Sequence, residues 1–166
     1  MHFYLLGFMG AGKTHWGKIW ANIHHFDFTD LDSEIEKREQ DTIAGIFEKN
    51  GEDYFRKKEA EVLRTLSLPE NAIISCGGGS PCFHENIHWM NKHGVTVFLK
   101  ATPSYILGNI KHEVNKRPIL KNTNDAELLF FIEKKLKERE PFYRQAKITV
   151  EAASLTPQSF KEISRY

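Results

Sequence analysis

Gly7-Phe8-Met9-Gly10-Ala11-Gly12-Lys13-Thr14 follows directly on the apolar run Phe3-Tyr4-Leu5-Leu6 and fits the pattern GxxxxGK[ST] between a strand and a helix. A turn of small residues lets successive backbone N–H groups converge on phosphate oxygens where a side chain would block the approach. Lys13 adds a point charge toward the β- and γ-phosphates, Thr14 offers a hydroxyl to Mg²⁺, and the N-terminus of the following helix supplies the positive end of its dipole. The stretch predicts a nucleotide-phosphate cradle and, around it, an α/β fold.

On either side of the loop, strand-like and helix-like segments alternate. Phe3–Leu6 reads as a buried strand and Thr14–Ile23 as a helix whose Trp16, Ile19, Trp20 and Ile23 form an apolar stripe, the tryptophans being read as core. Residues 26–29 read as a second strand ending in Asp30-Leu31-Asp32, and Ser33–Glu39 as a polar helix. Thr42–Lys49 and Glu52–Leu66 read as helices separated by a left-handed stop at Asn50-Gly51. Ala72–Ser75 is a central strand running into Gly77-Gly78-Gly79; His84–His93 a helix; Val95–Leu99 a strand; Ser104–Ile110 a helix. Periodicity breaks from Lys111 to Asp125, which predicts a mobile segment. Ala126–Arg139, Ile148–Val150 and Gln158–Ser164 read as helix, strand and terminal helix. Five strands separated by helices predict a three-layer α/β/α sandwich with a mostly parallel sheet, in one domain spanning 1–166.

In parallel sheets the ligand sits at the carboxyl ends of the strands. The phosphate loop, Asp30 with Asp32, and Gly77–Gly79 each follow a strand, so three separated segments are expected to share one crevice. Mg²⁺ on a triphosphate needs a hard oxygen ligand near Thr14, a role for an aspartate there, although an aspartate such as Asp32 before Ser33-Glu34 also suits a helix N-cap. Three successive glycines at a strand end suggest backbone pressed against a ligand.

Composition narrows the class. A hydrophobic share of 40% and a charged share of 27% are those of a globular protein, and no apolar stretch approaches the about 20 residues of a membrane span. The net charge of +1 on interleaved cations and anions argues against a nucleic-acid partner. The start lacks a signal-peptide pattern, so a cytoplasmic location is expected. Cys76 and Cys82 flank the triple glycine and read as reduced thiols. His84-Glu85-Asn86-Ile87-His88 is a literal H-E-x-x-H, the zinc-protease signature, but Asn91 and Gly94 stand where its extended form has Gly and His. A surface histidine pair explains it as well. The phosphate loop by itself also suits a nucleotide-dependent switch, or a kinase of another acceptor such as gluconate or a nucleoside monophosphate.

The series Gly7–Thr14, Asp30-x-Asp32, Ile46-Phe47 with Gly51-Glu52, Phe55-Arg56-x-x-Glu59, Gly77-Gly78-Gly79, Arg117-Pro118-Ile119-Leu120 and Arg139-x-x-x-Tyr143 resembles the shikimate kinase family, in order, up to about Val150. The resemblance implies a five-stranded parallel sheet of order 2-3-1-4-5 and transfer of the γ-phosphoryl of ATP to the 3-hydroxyl of shikimate with Mg²⁺, by a monomer. It implies that Gly10, Ala11, Gly12, Lys13, Thr14 and His15 hold the nucleotide, with Thr14 and, through water, Asp30 at the metal. Asp32 is implied to orient or deprotonate the attacking hydroxyl. Arg56 and Arg139 would grip the carboxylate with the Gly78 N–H, Gly79 lying alongside; Glu59 would hold Arg56; and Phe47 and Phe55 would wall the ring, within a substrate-binding segment of about 32–60. Arg117 would act on the phosphates from a lid of about 111–125. Two positions depart from the family pattern: His15 replaces a hydroxyl residue, and Gly108-Asn109-Ile110-Lys111 lacks the arginine placed against the adenine.

Overall fold

The computed structural model describes residues 1–113 and 124–166, so Arg117 and most of the expected lid lie outside the described residues. Five strands, β1 (His2–Leu6), β2 (Asp27–Asp30), β3 (Ala72–Ser75), β4 (Val95–Lys100) and β5 (Ile148–Glu151), form one parallel sheet of order β2-β3-β1-β4-β5. β3 and all but the first residue of β1 are buried, as is β4 up to Leu99, which is why these segments read as unbroken apolar runs.

Successive residues of β1 feed opposite layers, as the two-residue period of a strand requires. Phe3 and Leu5 enter a core with Trp20 of α1 (Lys13–His24) and Phe160 of α7 (Phe160–Ile163). Tyr4 and Leu6 enter a core with α2 (Leu31–Glu39), α3 (Ile43–Thr65) and α4 (Asn86–His93). A third cluster packs Phe8 against α5 (Pro103–Glu113) and α6 (Asp125–Tyr143), closing the end of the sheet above the phosphate loop.

Several boundaries differ from the sequence reading for identifiable reasons. The break expected at Asn50-Gly51 is present, Gly51 separating two helical stretches of α3, but its φ of 80° and ψ of 174° lie outside the left-handed helical well expected of it. The Thr42 side chain caps α3 by accepting from Gly45 N at 3.0 Å. Residues 111–113, expected to be irregular, continue α5. The helix expected from His84 starts at Asn86, because His84 and Glu85 take left-handed φ values of 48° and 56°. The H-E-x-x-H motif is therefore not one helical face. Glu85 and His88 instead pair with each other at 2.5 Å, both strongly exposed. Among the described residues no helix is long and apolar enough to cross a membrane.

Candidate active site

The strand order places the phosphate loop centrally, with the ends of β2 and β3 to one side and α5 and α6 to the other. Lys13 is buried, and its Nζ donates to the carbonyls of Gly7 and Phe8 at 2.8 and 3.0 Å, so the ammonium is held across the mouth of the loop. Burial lowers its pKa to about 8, an effect that attraction to Asp32 only partly offsets.

Thr14 Oγ1 donates to Asp30 Oδ2 at 3.0 Å and lies 3.1 Å from Ser75 Oγ. Since the Thr14 proton goes to the carboxylate, the Ser75 hydroxyl supplies the second proton of this trio. Asp30 Oδ1 meanwhile accepts from Ser33 N at 3.2 Å, so the capping duty that Asp32 could have served belongs to Asp30. Asp32, in the first turn of α2, is left to face the cavity. Burial is the main cause that raises its carboxyl to about 6, followed by repulsion from Asp30 and Glu59.

Two cavities meet at Lys13 and Thr14. One, of 430 Å³, is walled by His15, Trp16, Tyr105 and Asn109. Trp16, expected in the core, packs half-buried against it, stacking 5.8 Å from Trp20, and also forms part of this wall. Asn109 Nδ2 donates to Gly10 O at 2.7 Å, tying α5 to the phosphate loop.

The second cavity, of 280 Å³, contains Asp32, Arg56, Glu59, Gly77–Gly79 and Arg139. Arg56 is 7% exposed, while Lys57 beside it is on the surface side of α3, which removes the reading of Arg56 as one more solvated cation. Its Nη1 donates to Glu59 Oε2 at 2.9 Å, and its guanidinium lies over the rings of Phe83 and Phe55 at 4.4 and 5.1 Å. A Cβ on Gly79 would collide with Arg56 Nη2, so only glycine lets the guanidinium cross this backbone. Arg139 approaches Gly78 and lies over Phe8 at 5.3 Å, and the Tyr143 hydroxyl donates to Gly78 O. Phe47 and Phe55 pack on each other at 4.6 Å, Phe55 in the core; the apolar lining of the cavity comes from Met9 and Ile43.

Met9, Ile43 and Ser75 belong to the site without being singled out by the sequence. Ser75 has a usable signal, a hydroxyl at the carboxyl end of a central strand, whereas Met9 and Ile43 have none. A larger groove of 590 Å³ lies along β5 and α7, remote from all of these groups.

The shikimate kinase family profile matches residues 9–166. A shikimate kinase of Bacteroides fragilis is 42% identical over 161 residues, covering 97% of this chain and 90% of the relative. The crystal structure of a shikimate kinase from Bacteroides thetaiotaomicron superposes with a TM-score of 0.94 at 37% identity, covering 100% of this chain and 99% of that one. A shikimate kinase from Acinetobacter baumannii, solved in complex with shikimate, gives 0.83 at 32% identity, over 99% of this chain and 90% of that one. Sheet order, phosphate loop and relatives at near-full length converge, and the chain belongs to the shikimate kinase family.

Proposed function

We propose that this chain transfers the γ-phosphoryl of ATP to the 3-hydroxyl of shikimate, residues 1–166 acting as one monomeric kinase domain. The observation that carries the reading is the meeting of the two cavities at Lys13 and Thr14, one walled by planar side chains and the other holding two arginines beside Asp32. The base and sugar of ATP suit the first, the triphosphate lies along the amides of residues 10–14, and its γ end reaches the second.

The acceptor is a small hydroxy acid because a guanidinium matches a carboxylate in a planar, two-bond geometry that a dry cavity strengthens. Arg56 and Arg139 anchor that carboxylate and Asp32 accepts the hydrogen bond of the attacking hydroxyl. The new bond joins that oxygen to the γ-phosphorus as the bond from the γ-phosphorus to the bridging oxygen breaks, and ADP leaves. The hydroxyl proton passes to Asp32 during or after transfer. Such transfers depend on alignment and charge stabilisation more than on covalent help from the protein, which assigns Lys13 the main share among the described residues.

The oxygen trio of Thr14, Asp30 and Ser75 is hard, small and suited to Mg²⁺ bound chiefly by phosphates. Thr14 and Asp30 would hold the ion, which would neutralise phosphate charge. An ADP-release assay across shikimate, quinate, gluconate and nucleoside monophosphates tests the assignment. Shikimate is expected to give the highest kcat/KM; efficient turnover of gluconate or a nucleotide without shikimate would overturn it.

A further inference from the structure

The Arg56–Glu59 pair is one segment of a longer circuit, buried except at Arg64. Glu59 and Ser80 are both 0% exposed, and the Ser80 hydroxyl donates to Glu59 Oε1 while Arg56 occupies Oε2. Both oxygens of the carboxylate are thus engaged and its plane is set. Ser80 opens a 3-10 turn, Ser80–Cys82, directly after the three glycines. Its carbonyl accepts from Asn86 Nδ2 at 2.9 Å, and Asn86, also 0% exposed, accepts at Oδ1 from Arg64 Nη1 at 2.7 Å. Arg64 further donates to His84 O at 2.7 Å and Ala60 O at 2.9 Å, bracing the left-handed backbone before α4 against α3.

The path leaves α3 at Arg64, crosses the start of α4 and the 3-10 turn, and returns to α3 at Glu59 and Arg56. Asn86 uses its amide from both ends, so an aspartate would face Ser80 O without a donor and a leucine would satisfy neither neighbour. Fully connected networks of this kind, in a medium of low dielectric, hold their members in one geometry.

We propose that Ser80, Asn86 and Arg64 are positioning residues of the acid-binding cavity: through Glu59 they hold the Arg56 guanidinium in the orientation that receives the substrate carboxylate. This rests on the reading of that cavity given above. It also assigns work to the segment containing the H-E-x-x-H sequence, whose His84 carbonyl and Asn86 side chain are its contribution.

Steady-state kinetics on Ser80→Ala, Asn86→Leu and Arg64→Gln test the proposal. Each is expected to raise KM for shikimate by about three- to tenfold, the worth of one hydrogen bond, with KM for ATP unchanged. For a shikimate analogue whose carboxylate is reduced to a primary alcohol, variants and parent are expected to share one kcat/KM, because Arg56 then has no anion to meet. A role confined to stability would instead lower Tm and weaken both acceptors equally, and that result would overturn the proposal. Should the Asn86 variant fail to fold, Arg64→Gln, on an exposed residue, and Ser80→Ala decide the matter. Arg56→Ala separates the two levels of inference. If it leaves KM for shikimate unchanged, the reading of the cavity fails and the positioning role with it; if it raises KM while Ser80→Ala and Arg64→Gln do not, the positioning role alone fails.

Discussion

Asp32 and Lys13, which both line the acid-binding cavity, are displaced from their ordinary protonation behaviour by the same cause, burial. For Asp32 the sign has a measurable result. Its folded carboxyl titrates near 6 rather than near the ordinary carboxylate value, so the folded protein holds that proton more tightly than the unfolded chain does. Stability is therefore lost as pH rises through about 6, by an amount on the order of 3 kcal/mol once the carboxylate is ionised. Asp32→Asn is expected to raise Tm relative to the parent at pH 8, with the advantage disappearing below about pH 4. The same substitution should cut kcat strongly and abolish an acid limb near pH 6 in kcat/KM for shikimate, since the group needed charged has been removed. Parallel thermal melts and pH–rate profiles of the two proteins check both halves. An unchanged profile would take Asp32 out of the reaction.

Among the elements, α3 and the loop after β3 each depend on a glycine, for different physical reasons. Gly51 has φ 80° and ψ 174°, a region essentially closed to other residues, yet a Cβ there would meet nothing within 4 Å. Gly51→Ala should cost about 1–3 kcal/mol of stability through backbone strain and leave KM for shikimate alone. Gly79 is the converse case. Its φ of −93° suits any residue, but its Cβ would displace the Arg56 guanidinium. Gly79→Ala should fold normally and raise KM for shikimate by about tenfold or more, as part of the 2–5 kcal/mol of a buried charge contact is forfeited. Denaturation midpoints and substrate KM values for the pair distinguish strain from crowding. The elements most legible in the sequence are β1, β3 and β4, because strands buried on both faces carry an unbroken apolar signal. The start of α4 is not legible, because H-E-x-x-H has helical spacing while the left-handed backbone at His84 and Glu85 is braced from α3 by Arg64.

For the molecule as a whole, the shortest α-helix among the described residues anchors one face. α7 has only four residues, yet Phe160 is fully buried, packing at 4.9 Å on Phe3 and 5.7 Å on Trp20. Trp20 Nε1 donates to Thr156 O at 3.0 Å, fixing the chain that leads into α7. Phe160→Ala should destabilise the protein by about 3–5 kcal/mol, read by denaturant unfolding, while leaving KM for both substrates unchanged in the folded fraction. A change in substrate KM would mean that this core reaches the site through the Trp20–Trp16 stack.

The phosphate loop, the alternation of strands and helices, and the side chains able to bind a phosphate, a cation and an acid are all legible in the order of residues along the chain. Those properties are local: they depend on spacing along the chain and on residue chemistry. Packing settles that Asp30 rather than Asp32 caps α2, that Arg56 is buried while Lys57 is not, and that Ser80, Asn86 and Arg64 join one circuit behind Glu59. Each of these depends on which distant segments the sheet order brings together, and burial and partner choice become properties of a residue only after that packing is complete.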